Sequence, residues 1–387
     1  MYQFIFDNSA RVLFGAGQLN HLHEEKLPGK KALIATSNGS STKKFGYLAR
    51  LEKELDLAGV EHVLFDQIRP NPTDKNVMDG AKIMRDQNCD FIIALGGGSV
   101  MDASKCIALM AANDGDLWDY SFNKLGGKKN PDHDALPIVC ITTSAGTASE
   151  VDIGAVISRD DTQEKSAVFH PSMMPMLSVV DSDLMMSVPP KFTAYQGMDA
   201  FFHASETVVN RKVHPMAEMF ALKTIELVAK YLPRAVKNGN DQEAREMMAY
   251  ANTFAGYYML CTSAHTMEHT MGSFHPNLIH GAGLIMIAHA YYNFFAEKKA
   301  AEIPMIKMAK AMGVENASSG KDFIRALDNL IAEIDCADLK MSDEGITRDE
   351  LKLYPQKLHE VLGGDITADP LPLSDSDYLE IFEAAFK

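Results

Sequence analysis

Short apolar runs alternate with helical patterns through the first half of the chain, and then the alternation stops. This change of texture limits the folds open to it. Runs that read as strands are Lys31–Thr36, His62–Asp66, Phe91–Leu95, Leu136–Thr142 and Leu177–Asp181. Helix-like segments lie between them at Lys43–Ala58, Lys75–Gln87 and Val100–Ala112. Strand–helix alternation with short connections predicts a parallel sheet covered by helices. Beyond Asp181, Pro189-Pro190 reads as a hinge-like break. From Thr193 onward the periodicity is helical, at Met216–Tyr231, Gln242–Met259, Ala282–Lys299, Ile303–Met312, Lys321–Ile334 and Ser376–Phe386. Thr347-Arg-Asp-Glu350 has the pattern of a capping box. A polar stretch, Asn123–Asp134, has no periodicity and reads as a loop.

A chain of 387 residues exceeds one small core. The expected architecture is an α/β domain with a parallel sheet over residues 1–183, then an all-helical domain over residues 184–387. A net charge of −15 argues against nucleic acid or an anionic membrane as the main partner. The five cysteines are scattered without a Cys-x-x-Cys pair, which suits free thiols in a reducing compartment. With no signal-peptide pattern at the start and no membrane-length apolar run, a cytoplasmic location is expected.

Histidines carry the first chemical signal. Five of the thirteen fall between His265 and His289, and Asp199 and His203 lie upstream with Asp-x-x-x-His spacing. His265 and His269 are also four apart, so on a helix each pair shares a face. Imidazole with carboxylate is the ligand set of a catalytic divalent metal such as iron or zinc. A lone histidine in an apolar stretch is more often a hydrogen-bonded core residue, the reading given to His170, His214 and His289.

Two turns carry the second signal. Phe91-Ile-Ile-Ala-Leu-Gly96-Gly97-Gly98-Ser99 reads as a strand, a glycine turn and a helix start, with Asp102 one turn on. Glycines let the backbone approach a pyrophosphate, and a helix N-terminus supplies N–H donors. The run is not Gly-x-Gly-x-x-Gly, and alone it could be only a tight turn. A second polar turn, Thr142-Thr143-Ser144-Ala145-Gly146-Thr147, follows the strand ending at Thr142. Turns at successive strand ends favour a nucleotide site over two unrelated caps.

With these motifs in order, the chain resembles the iron-dependent (group III) alcohol dehydrogenase family nearly end to end. The resemblance includes Arg11-Val-Leu-Phe-Gly-Ala-Gly17, Pro70-Asn-Pro-Thr-Asp74, Gly197-Met-Asp-Ala-Phe-Phe-His203, the His265–His280 block and the tail Asp365-Ile-Thr-Ala-Asp-Pro370. It implies an active site between a nucleotide-binding and a helical domain. By position, Asp199, His203, His265 and His280 become metal ligands, and His269 sits beside the nicotinamide as the catalytic candidate. Gly97, Gly98 and Ser99 meet the pyrophosphate, while Asp102, Thr142, Thr143, Ser144, Gly146, Lys165 and Leu184 line the rest of the cofactor channel. The metal is iron, with zinc as the alternative. The family often forms dimers or larger homo-oligomers, so one is expected here by analogy.

The chain departs from the family in three places. Ser37 stands where many members have an acidic residue that holds the adenosine ribose, and Lys43 and Lys44 follow. Loss of that carboxylate removes repulsion of a 2′-phosphate, so NADP(H) is favoured over NAD(H). The segment Met259–Ala264 lacks the glycines common there, and the stretch from His269 to His280 is one residue longer than in many members. That stretch holds His275-Pro276, which makes His275 a rival ligand.

The expected activity is metal-dependent, NAD(P)-linked hydride transfer on small alcohols or aldehydes. The alternatives are a glycerol-dehydrogenase-like zinc enzyme, a hydroxyacid–oxoacid transhydrogenase that retains its cofactor, or a non-catalytic nucleotide- and metal-binding module.

Overall fold

The structure, a computed structural model, describes residues 2–122, 127–159, 161 and 164–387. Residues 123–126 of the polar Asn123–Asp134 stretch lie outside the described residues. The chain divides into two compact units, Asp7–Ser187 and Met1–Phe6 with Val188–Lys387.

Six strands of the first unit form one parallel sheet: β1 (Arg11–Phe14), β2 (Lys31–Ser37), β3 (Glu61–Ile68), β4 (Phe91–Gly96), β5 (Ile138–Thr142) and β8 (Leu177–Val180). Their order is β1-β8-β5-β4-β2-β3. Strands β6 (Gly154–Arg159) and β7 (Glu164–Phe169) make a separate antiparallel pair. Among the described residues, four α-helices belong to this unit: α1 (Ser41–Lys44), α2 (Tyr47–Ala58), α3 (Asp74–Asp86) and α4 (Gly98–Ala112).

Continuous apolar runs form the central strands because both faces of the sheet are covered. Successive side chains point to opposite faces. Leu33, Ile92 and Cys140 therefore pack with Val77 of α3 and Ile107 of α4, while Ile34, Ile93 and Ile141 pack with Leu48, Leu51 and Leu55 of α2. The helix expected over Lys43–Ala58 is two helices, broken at Phe45-Gly46 where Gly46 takes φ 75°. Strands β1, β6 and β7 were not among the expected ones. β1 is four residues long and pairs with β8 far along the chain, a partner its own pattern cannot reveal.

The second unit holds α5 (Pro190–Val209), α6 (Pro215–Lys237), α7 (Gln242–Tyr257), α8 (Ser263–Phe274), α9 (His280–Glu297), α10 (Glu302–Ala311), α11 (Gly320–Glu333), α12 (Tyr354–Leu358) and α13 (Asp375–Ala385). Pro189-Pro190 marks the start of a helix: Pro189 caps α5 and Pro190 takes its first turn, where the missing N–H costs nothing. The expected capping box at Thr347 forms only in part. The Thr347 hydroxyl accepts from the Glu350 N–H at 3.3 Å, and a 3-10 turn over Glu350–Leu353 follows instead of an α-helix.

His214 is buried and accepts from the Ala217 N–H, and His170 likewise caps a turn through Ser172. His289 departs from the core reading: it is exposed and pairs with Asp328 at 2.9 Å. All five cysteines are free. Among the described residues, no helix is long and apolar enough to cross a membrane.

Candidate metal centre and nucleotide turns

Helix α5 carries Asp199 and His203 one turn apart, both buried. Glycines bring its neighbours close. A Cβ on Gly197 would lie 2.3 Å from Leu232 of α6, and one on Gly281 would lie 2.1 Å from the Tyr195 carbonyl oxygen. The start of α9 thus presses on the α5 backbone, which sets His280, its first residue, beside Asp199. Helix α8 supplies His265 and His269 one turn apart on one face.

Three rings converge on one oxygen. The Nε2 atoms of His203, His265 and His280 lie 3.5, 3.4 and 3.4 Å from Asp199 Oδ1. Asp199 Oδ1 and His265 Nε2 are buried and find no hydrogen-bond partner among the described residues. Buried polar atoms normally have partners, so these vacancies need a reason. A divalent ion about 2.1 Å from each of four donors at tetrahedral angles sets the donors about 3.4 Å apart. Asp199, His265 and His280 each offer a donor atom within 4.8 Å of the others, a set that fits a divalent metal; His203 adds its Nε2 at 3.5 Å from Asp199 Oδ1 and also shares a second such group with His265 and Cys261.

Electrostatics agree. Burial by itself would raise the Asp199 carboxyl, but the His203 and His280 charges hold it well below the usual carboxylate range. Burial, with the like charges of His265 and His280, pushes His203 down to about 4 against the pull of Asp199. His265 and His280 move upward despite burial, His265 through Cys261 and Glu206, His280 through Glu268 and Asp199. A metal ion would relieve this crowding of protons by replacing them.

Two carboxylates that the sequence reading did not single out stand behind these rings. His265 Nδ1 donates to Glu206, and His280 Nδ1 donates to Glu268. His269 Nδ1 donates to the Leu362 carbonyl oxygen at 2.7 Å, and its ring centroid lies 5.3 Å from that of His280. Helical spacing offered a signal for Glu206, three residues after His203, and for Glu268, three after His265. No local signal pointed to Leu362. His275 stands apart from the cluster as the cap residue of α8, its Nε2 2.7 Å from Glu350 Oε1. Phe254 and Tyr257 pack with Phe220 in an aromatic cluster, and Phe274 packs against Tyr354.

In the first unit, the chain runs from β2 out to β3 and back across to β4, so strand order reverses between β2 and β4. Ligands of open α/β sheets bind outside the carboxyl ends of strands at such a reversal. Ser37 ends β2, and Gly96-Gly97-Gly98 joins β4 to α4. Gly96 and Thr142 are paired neighbours in the sheet, which brings the two polar turns together. A Cβ on Gly97 would lie 2.9 Å from Ser144 Oγ, and one on Gly98 would lie 2.3 Å from Thr147 Cγ2. Thr142 Oγ1 donates to the Ser144 carbonyl, the Thr143 N–H bonds Gly96, and Gly146 is buried within the same turn. Ser99 lies in the first turn of α4 and is partly exposed.

Asp102 accepts from Ser149 Oγ and the Val156 N–H, and burial lifts its carboxyl to about 6 against the charge of Lys105. Lys165 lies on β7 opposite Ser158, and Leu184 is wholly buried in the core beside α2. Of the two lysines that follow Ser37, Lys43 is already paired with Asp66 of β3, while Lys44 lies over the Phe45 ring.

The family model described as iron-containing alcohol dehydrogenase matches residues 9–182. Its C-terminal counterpart, Fe-containing alcohol dehydrogenase family, C-terminal, matches residues 193–386. Alcohol dehydrogenase 4 of Schizosaccharomyces pombe is 39% identical over 72% of this chain and 65% of its own length. The NAD-dependent methanol dehydrogenase of Bacillus methanolicus is 33% identical over 79% of each chain. The NADPH-dependent butanol dehydrogenase of Clostridium saccharobutylicum is 30% identical over 97% of this chain and 96% of its own. The crystal structure of an archaeal halo-thermophilic alcohol dehydrogenase from a Red Sea brine pool matches with a TM-score of 0.93, at 33% identity over the whole of both chains.

Proposed function

The chain belongs to the iron-containing alcohol dehydrogenase family, and from that premise we propose that Asp199, His203, His265 and His280 hold the metal of an NAD(P)-linked dehydrogenase. The enzyme acts on CH–OH groups, with iron and a nicotinamide cofactor. Its substrates are small alcohols or the corresponding aldehydes. The observation that carries the ligand assignment is the convergence of three imidazole Nε2 atoms on the buried Asp199 Oδ1.

When bound, the ion supplies Lewis acidity to a substrate oxygen, and the nicotinamide supplies or accepts the hydride. The protein's own groups do the rest. Asp199 brings the one negative charge among the four donors. His265 and His280 keep their protons on Nδ1, so Nε2 carries the lone pair. His269 keeps its proton on Nδ1 through Leu362 and is the group assigned to proton exchange at Nε2, as imidazole titrates near neutral pH.

Residues 1–183 carry the nucleotide role in this reading. Gly97, Gly98 and Ser99 offer backbone N–H groups to the pyrophosphate, and Thr142, Thr143, Ser144, Gly146 and Asp102 form the adjoining wall, with Lys165 beyond them on β7. Leu184 contributes core packing, because its side chain is fully buried. NADP(H) is the favoured cofactor: Ser37 presents no carboxylate to a 2′-phosphate, and Lys44 supplies countercharge after Lys43 is taken by Asp66.

Anaerobic purification, metal assay and absorbance assays of NADH and NADPH with short aldehydes test the reading together. Metal-dependent loss of the NADPH signal is the expected result. Near-stoichiometric metal without turnover of either cofactor would overturn it in favour of a transhydrogenase or a binding module.

A further inference from the structure

We propose that Glu206 and Glu268 are positioning residues that fix His265 and His280 in the tautomer a metal requires. The inference rests on the ligand set assigned above. Both carboxylates are fully buried, and a buried charge is costly unless it is paired and hydrogen-bonded. One oxygen of each is bonded to a ring. Glu206 accepts from Nδ1 of His265, and Glu268 accepts from Nδ1 of His280. A ring that donates from Nδ1 presents the Nε2 lone pair on its opposite edge, and on both rings that edge faces Asp199 Oδ1 at 3.4 Å. A carboxylate behind a ligand imidazole also raises its basicity toward a cation.

The surroundings hold the two carboxylates for this purpose. Glu206 Oε2 accepts from the Thr262 N–H at 2.8 Å and its hydroxyl at 3.0 Å. The Thr262 hydroxyl lies 2.7 Å from that of Tyr291, which donates to Asp369 at 2.6 Å. Glu206 therefore cannot turn away from His265 without breaking two buried hydrogen bonds from Thr262. Glu268 is accommodated by a missing side chain: a Cβ on Gly283 of α9 would lie 2.8 Å from its Cγ. His203, the third ring, has no such partner on Nδ1 among the described residues. The carboxylate clamps are thus specific to the two rings brought in by α8 and α9.

Metal-stripped protein titrated with Co2+, read by its visible absorption, tests this directly. Glu206→Gln and Glu268→Gln are each expected to weaken Co2+ binding about 10- to 100-fold and to shift the absorption band, with thermal unfolding still cooperative. Asp199→Ala is the control for the ligand set. Wild-type affinity and spectrum in both glutamine variants, with binding lost in Asp199→Ala, would overturn the positioning role alone. Binding retained in Asp199→Ala would overturn the ligand set and this inference with it. Nitrogen-15 histidine spectra of the Zn2+-loaded wild-type chain need no variant to fold. They are expected to show Nδ1 protonated on both rings, and Nε2 protonation on either would overturn the proposal.

Discussion

His269 donates its Nδ1 proton to the carbonyl oxygen of Leu362 at 2.7 Å, tying the histidine beside the cluster to a segment nearly a hundred residues later in the chain. The bond belongs to a wider contact in which residues 362–369 lie along α8. Thr266 Oγ1 accepts from the Gly364 N–H at 2.8 Å, and Asp369 meets Ser263 and Tyr291. The C-terminal segment therefore helps to hold the helix that presents His265 and His269.

Gly364→Ala is expected to disturb that contact severely. Its Cβ would lie 1.9 Å from the Thr262 carbonyl oxygen, a backbone atom that cannot rotate away. A loss of about 1–3 kcal/mol or more in unfolding free energy is expected, together with weaker metal binding. Chemical denaturation at matched metal load checks it; an unchanged midpoint would contradict the close packing.

His203→Ala is expected to abolish both metal binding and turnover while the fold persists. The ring is buried on a long helix whose other contacts are largely apolar, so one truncation leaves the packing of α5 in place. Metal content and circular dichroism of the purified variant decide the matter. Turnover in a metal-stripped His203→Ala enzyme would remove this residue from the ligand set.

Asp369→Asn is expected to change how stability depends on pH. Burial lifts the Asp369 carboxyl from 3.8 to about 6, against hydrogen bonds from Tyr291 and Ser263 that pull the other way. A carboxyl raised in the folded state binds more protons folded than unfolded, so its contribution is lost as pH rises through this window. The ceiling is about 3 kcal/mol. The stability of Asp369→Asn relative to wild type should therefore climb between pH 4 and 7, as followed by urea midpoints. A flat difference across that range would count against the buried, raised carboxyl.

Ser37→Asp is expected to move cofactor preference toward NAD(H). A carboxylate at the end of β2 would repel a 2′-phosphate and accept from a ribose hydroxyl, a change of about tenfold or more in relative kcat/KM. Parallel kinetics with NADH and NADPH measure it. An unaltered ratio would place the adenosine ribose elsewhere.

The sequence by itself determined the elements whose signal is local. Continuous apolar runs marked β2, β4 and β5 because a doubly covered parallel strand is apolar on both faces. Four-residue spacing marked Asp199 with His203 and His265 with His269 as helix-face pairs, and three glycines after β4 marked a close-approach turn. Only the tertiary structure decided which groups meet. Convergence of α5, α8 and α9 on Asp199 Oδ1 depends on Gly281 admitting the α5 backbone at Tyr195 and Gly283 admitting Glu268 of α8, a property of packing between distant segments. The partners Glu206, Glu268 and Leu362, the pairing of β1 with β8 and the exposure of His289 are of the same kind. Periodicity reports which face of an element is apolar; it does not report what that face, or a buried nitrogen upon it, will touch.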